Sequence, residues 1–540
     1  MSPKKHYPKK AIASPSPKSG SSSAPQSPKR LSRLPLLPIP LIFFLFVWFF
    51  AGVWYADVFR AAGQYSFYAP DITLMHFVWD KPYGPLWIAG RAMLTLFHYP
   101  LLGGAVLALM LTLISWLTGY NLRLTARWRP LQYLPAGVYL GCLAYYGLDC
   151  YYQAETGRIM GTPLCALIAL AVPGIIIRSF SRKPAPALIT SPTDERRLQN
   201  MLGLLVCVTV VAAPMLYSAI ERPYVRVTAH MQNQLERQDW EGIIRTAHEN
   251  AELSYRPMAA MYAIALAQTG QITEKLFDIR YEYGTMMIRN RAGNTDSGSD
   301  FFLTDGNYYA GLLLAANRNA IEHLTMEGPT LHMLKRLTQI ALLNDEPEVA
   351  RKYLHILGKT PFEKDFVRHY TELANHPQAI GKDPEMARIR NVEPVSDMFQ
   401  SMLREPLFLG YNIALSEGRS MDALHHSIAA CLYSKLVPDA VKRCQPMTHT
   451  VLPRNIGDAM AIYAREDPTV LQFFQGNQMT MPRFQAFLAT IRPYADTRLE
   501  HAPELFRTYR GYYPYYYYFG NLTAPTRKKD DSATEHKGVN

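Results

Sequence analysis

MLGLLVCVTVVAAPMLYSAI, residues 201–220, runs for 20 positions without a charged side chain, the length at which a helix crosses about 30 Å of hydrocarbon. It also divides the chain. Residues before it are largely apolar, whereas residues 221–540 read as a charged helical domain. The side of a bilayer on which Ile220 emerges therefore decides where the larger half of the protein works.

Working back from that stretch, four more segments have spanning character: about 36–55 (LLPIPLIFFLFVWFFAGVWY), 101–117, 131–148 and 159–177. Together they make residues 35–220 an expected transmembrane region of about five helices. None has a charge near its middle, which argues against coupled transport, where an intramembrane charge does the work. Within them Gly137 and Gly141 form a GxxxG, the spacing that lets helices approach closely. Residues 65–99 are aromatic but interrupted by Asp71, Asp80, Lys81 and Arg91. They are expected to lie along the outer interface, and a span hidden there would reverse the topology.

Charge orients the bundle. The formal net charge is +12, and much of the excess sits in residues 1–34, a Ser-, Pro- and Lys-rich tail expected to be disordered and cytoplasmic. Arg123, Arg127 and Arg129 follow the second segment, and Arg178, Arg182, Lys183, Arg196 and Arg197 follow the fourth. The loop between them, with Asp149, Glu155 and Arg158, is poor in positive charge. Basic short loops stay in the cytoplasm, so five crossings export the C-terminal half: a multi-pass inner-membrane protein with a periplasmic domain. The basic residues lie where topology alone would put them. The bilayer is thus an expected partner and nucleic acid is not.

Residues 221–523 carry a recurring phrase in which an apolar helix meets a tight polar turn and a second helix follows. It occurs at Leu235–Trp240, Leu266–Gln271, Ala341–Glu346 and Ala414–Arg419. That is the pattern of a tetratricopeptide-like helix–turn–helix repeat, which buries its apolar faces by stacking into a solenoid. The expected fold is therefore all-α, a membrane helix bundle followed by a tetratricopeptide-like α-solenoid. Residues 524–540 are expected to be a disordered tail.

Chemical signatures are lacking. No Walker, GxSxG, HExxH or Rossmann glycine pattern is present, so no catalytic residue, metal ligand or cofactor is assigned. The loop 291–300, with Asp296, Asp300 and the later Asp305, does not follow the EF-hand order and reads as an exposed loop. His425 and His426 are adjacent on a helix and point about 100° apart, a poor metal pair. Cys431 and Cys444 could form a bridge in an oxidising compartment, but two cysteines are no disulfide framework. The residues left as candidate ligand or interface contacts are Trp79, Asp80 and Arg91 in the first outer loop. To these are added Tyr512, Tyr513, Tyr515 and Tyr516 of the aromatic stretch YRGYYPYYYYF, for which capping of the last helix is the plainer role.

Several blocks also bear a likeness to a known family. Gly84-Pro-Leu-Trp87 and FHYPLLGGAVLALM (97–110) resemble the early membrane region of a domain-of-unknown-function family of multi-pass proteins from Bacteroidota. Met326-Glu327, Leu334-Lys-Arg-Leu337, Ala350-Arg-Lys-Tyr-Leu354, Lys359-Thr-Pro-Phe362 and the aromatic ending 508–519 are similar to its helical portion. The likeness covers most of residues 36–520 and departs at the long basic N-terminus. It implies an inner-membrane protein with a helical-repeat region and supplies no activity. The function expected is a membrane-anchored scaffold or adaptor that binds a protein or peptide in the cell envelope. The alternative is a membrane-embedded enzyme or transporter for envelope glycan or lipid, marked by a polar cavity near Asp80, Arg91 or Asp149.

Overall fold

The structure, a computed structural model, describes residues 38–520 apart from 126–127, 148–154, 181–192, 254, 282–287, 290–294, 297–299, 395–419, 449, 474–479 and 496–497. Both terminal tails, Asp149, most of the 291–300 loop and the fourth repeat phrase lie outside the described residues. The fold is all-α. Among the described residues the only strands are Ile288–Arg289 and Thr295–Asp296, an antiparallel pair.

Each of the five apolar segments contains a helix, but their lengths differ from the sequence expectation. Pro100–Asn121 and Asn200–Ile220 are long and apolar enough to cross a bilayer alone. Ile39–Trp54 reaches the same standard together with Ala56–Gln64, to which it is joined at a 59° bend. Leu134–Tyr146 has only 13 residues. It is preceded by a 3-10 turn, Arg129–Tyr133, and ends at Gly147, whose φ of 54° is left-handed. The helix Arg158–Phe180 has 23 residues, a full span in length, of which Arg158–Pro173 is the apolar stretch among the described residues. Among the described residues two helices, or three with the bent pair, meet the criterion of length and composition where the sequence suggests five.

Small residues set how closely these helices pack. A Cβ on Gly104 would lie 2.7 Å from Gly52 Cα, so the first helix and Pro100–Asn121 cross at a point where only glycine fits. In the GxxxG, Gly137 faces Val210 and a Cβ there would meet it at 3.0 Å, whereas Gly141 has nothing within 4 Å. One glycine of that motif makes a helix contact and the other does not.

Between residues 65 and 99 the longest helix is Gly84–Leu94, 11 residues or roughly 16 Å. The segment instead packs against the helical domain. Ser66 O accepts from Leu331 N–H at 2.9 Å, and Phe67, Met75 and Val78 share an apolar cluster with Leu334 and Leu357. Lys359 Nζ pairs with Asp71 Oδ2 at 2.7 Å, and His98 stacks on Phe362 at 4.6 Å between centroids.

In the helical domain most helices pack chiefly on their neighbours in sequence, whereas Pro223–Glu236 packs most on Ala56–Gln64 and Ile272–Lys275 most on Met421–Tyr433. The turns share one construction. A residue at positive φ ends the helix, and the next N–H donates to the carbonyl five positions back, a Schellman closure. Asp239 bonds Gln234 at 2.9 Å after Gln238; Gln271 bonds Leu266 at 2.8 Å after Gly270; Glu346 bonds Ala341 at 2.8 Å after Asp345. These are three of the four phrases legible in the sequence. Two more, Asn307–Leu312 and Cys431–Leu436, close in the same way around Gly311 and Lys435. Caps then start the next helices, with Asp239 accepting from Gly242 N–H, Thr330 from Met333 N–H and Ser420 from Ala423 N–H.

A Cβ on Gly270 would meet nothing within 4 Å, so Gly270→Ala isolates the backbone cost of the left-handed turn. It should destabilise the protein by about 1 kcal/mol. The check is a lowered unfolding midpoint in detergent, with Gly270→Asn falling less.

Candidate functional site

The most heavily charged interior point lies where five helices meet. His332 and Arg336 are four residues apart on one face of Leu331–Leu343. His332 is 1% exposed. Its Nδ1 pairs with the carboxylate of Glu236, at the end of Pro223–Glu236, and its Nε2 lies 3.0 Å from Asp305 Oδ2. Arg336 Nε donates to Asp305 Oδ1 at 2.6 Å, Nη1 to Gln339 Oε1 at 2.8 Å and Nη2 to the Tyr309 hydroxyl at 3.0 Å. Glu385, from Pro384–Val392, stands 3.4 Å from Nη1 and accepts from Tyr370 OH and Gln339 Nε2 at 3.0 Å each. The guanidinium also lies over the Tyr308 and Tyr309 rings, at 4.7 and 4.9 Å.

Electrostatics follow from this geometry. Burial alone would neutralise these groups, but the opposite charges outweigh it. Against that burial, Asp305 and Glu236 hold the His332 imidazole up at about 9, while His332 holds Glu236 down at about 2. Asp305 is likewise kept below the ordinary carboxylate range by His332 and Arg336. With a carboxylate on each nitrogen, the ring has no position left at which to accept a proton. The arrangement is therefore an ion-pair joint rather than a general base. The two carboxylates flank opposite sides of the ring and do not converge on one ion. Among the described residues no three His, Cys, Asp or Glu side chains group as metal ligands. Beside the joint is a cavity of about 100 Å³ bordered by Glu236, Lys335, Tyr370 and Glu385, room for about three waters.

The sequence profile of a family of unknown function, DUF6057, matches residues 151–520. The chain belongs to that family. No curated protein and no solved structure matches it. The DUF6057 match contains every member of the joint, from Glu236 to Glu385. Sequence reading missed this joint because its members are scattered over 150 positions. The available signal was Leu331–Leu343 itself, whose apolar face carries a His and an Arg one turn apart.

The residues singled out in this DUF6057 chain by sequence do not form one site. Trp79 is exposed, and Asp80 pairs with His76 in a solvent-facing bridge of 2.9 Å. Arg91 is buried, with Nε 2.5 Å from Glu155 Oε1 and Nη1 donating to Phe67 O at 3.2 Å. Lys81 Nζ completes the clasp at 2.8 Å from Glu155 Oε2. Burial opposes ionisation of Glu155, yet Arg91 and Lys81 hold it down at about 2. Tyr512, Tyr513, Tyr515 and Tyr516 are buried. Tyr513 OH donates to Leu432 O, Tyr515 OH to Ala502 O and Tyr516 OH to Tyr433 O, and Arg483 lies over the Tyr512 ring at 4.0 Å. These tyrosines pack Tyr513–Phe519 against Met421–Tyr433 and Phe277.

The other sequence candidates also pack internally. Asp305 belongs to the joint and not to an exposed calcium loop. His425 meets Thr273 Oγ1 at 3.0 Å, while burial pushes its neighbour His426 down to about 4. Cys431 and Cys444 are buried, with no disulfide between them in this structure.

Because His332 binds its proton more tightly folded than unfolded, its contribution is fully present below about pH 6.5 and is lost as pH rises through about 9. The unfolding midpoint should therefore fall between pH 6.5 and 9.5, by the equivalent of a few kcal/mol. His332→Gln should start lower and show a flatter profile over that interval in differential scanning fluorimetry.

Proposed function

We propose that this DUF6057 protein is a membrane-anchored scaffold or adaptor in the cell envelope, whose helical array holds a protein or peptide partner. In this reading five helices cross the inner membrane, the N-terminus is cytoplasmic and the array stands in the periplasm as a tetratricopeptide-like solenoid. The repeated Schellman turns support the solenoid assignment, since helix pairs built alike stack alike. Leu134–Tyr146 then crosses as a short helix, with thinning of the bilayer or flanking aromatic residues making up the difference.

One observation carries the proposal. The segment between the first two membrane helices is packed beneath the array through Ser66, Phe67, Asp71 and His98. The array is thereby held at a set attitude to the bundle, as a display platform requires. The same packing, with no helix longer than 11 residues between 65 and 99, supports an odd number of crossings. An enzyme or transporter for envelope glycan or lipid would draw on charges near the membrane helices, and Arg91 and Lys81 are both engaged by Glu155.

Two measurements test this. Alkaline phosphatase fused after Asn540 should be active and a green fluorescent reporter dark; a fluorescent, phosphatase-negative result defeats the topology. Photo-crosslinkers placed on exposed helices of the array in the intact protein should give one discrete adduct in membranes. A smear of bulk envelope protein at every position would defeat the scaffold reading.

A further inference from the structure

The first and last long apolar helices end side by side, and a pocket of about 520 Å³ opens where they do. Val53 and Ala219 form its apolar margin. Its polar wall comes from Trp54, Asp57, Arg226, His230, Glu249 and Asn250. Trp54 closes the π-helical turn Phe50–Trp54, a kind of turn concentrated at functional sites.

One donor in this pocket is unspent and open, and a second is unpaired but buried. The Arg226 guanidinium lies 3.7 Å from the centre of the Trp54 ring, and among the described residues it makes no hydrogen bond or ion pair. The buried Trp54 Nε1–H has no acceptor among the described residues either. The acids are arranged differently. Asp57 is committed, its Oδ2 2.7 Å from His230 Nδ1 and its Oδ1 accepting from Asn233 Nδ2 at 3.0 Å. Glu249 is exposed, and no partner for it occurs among the described residues.

We propose that this pocket binds the headgroup of a zwitterionic phospholipid bearing a primary ammonium. The phosphodiester oxygens are taken by Arg226, which lies over the Trp54 ring, and the ammonium by Glu249. A planar guanidinium matches phosphate bidentately, and an indole beside it is the usual anchor at headgroup depth. Two carboxylates in the same pocket disfavour a headgroup whose only charge is negative. The apolar margin lies on the membrane side, where the acyl chains leave. The inference rests on the reading that these helices cross a bilayer.

Native mass spectrometry of the full-length protein in detergent tests it, with phosphatidylethanolamine, phosphatidylglycerol, glycerophosphoethanolamine and inorganic phosphate as probes. Phosphatidylethanolamine should bind best. Arg226→Gln should weaken it about tenfold or more. Arg222→Gln, whose side chain bonds Tyr224 OH at 2.9 Å instead of lining the pocket, should bind as the wild type does. Equal or better binding of phosphatidylglycerol overturns the zwitterion assignment. Binding of the soluble probes as tightly as lipid overturns the lipid source. Full retention by Arg226→Gln overturns the site. Alkaline carbonate extraction of the same membranes reads integration separately, so failure of the membrane reading is distinguishable from failure of the pocket.

Discussion

Two cations on one helical face, His332 and Arg336, constrain everything packed around Leu331–Leu343. A buried charge is tolerated only where opposite charge and hydrogen bonds replace water. The helices at 223–236, 300–309 and 384–392 must therefore deliver Glu236, Asp305 and Glu385 to within bonding distance of that face. Apolar contacts would accept many registers, whereas a fork of guanidinium donors accepts few. Such a joint adds little net stability over a well-packed apolar core, and its value here is in specifying how five helices meet. Tyr65 extends the specification to the apolar helices by stacking on His332, 5.4 Å between centroids.

The second clasp, Arg91 and Lys81 on Glu155, does the same work closer to the long apolar helices. It joins the segment after the first apolar helix to the residues that lead into the helix at 158–180. Asp71, in the same segment, pairs with Lys359 of the array. The bundle and the array are thus tied by polar contacts as well as by the chain crossing at Ile220. The DUF6057 assignment fits that unity, since its match runs from the later apolar helices through the array without a break.

Periodic and compositional features were legible in the sequence. Uncharged stretches located all five apolar helices, because a lack of charge is a local property. Their lengths were harder to read. Gly147 stops Leu134–Tyr146 through its backbone angle, and Tyr145 and Tyr146 beside it look as apolar as the residues before. Three polar turn phrases were read correctly as helix breaks, but the turn at Lys435 was missed. A lysine at φ 59° carries no compositional warning, unlike Gly270. Partnerships between distant residues were the least legible. Glu155 was visible only as a lone acid in a weakly charged loop, and nothing near it in sequence indicates Arg91 or Lys81. The tyrosine-rich end was decided by its surroundings: the rings that could have stacked on a ligand are turned inward onto Phe277 and Tyr433.

The support beneath the array has a consequence for biogenesis. Phe67, Met75 and Val78 emerge from the ribosome roughly 250 residues before Leu334 and Leu357, the partners that cover them. At ordinary elongation rates that is an interval of roughly 10–50 s. In the proposed membrane topology, a newly inserted loop would present these side chains during that interval without the distal surface that later covers them. The headgroup zone of the membrane would then be the temporary shelter for Phe, Met and Val. The array would have to lift this loop off the lipid to complete its own underside, coupling maturation of the distal half to a release event near the proposed first crossing.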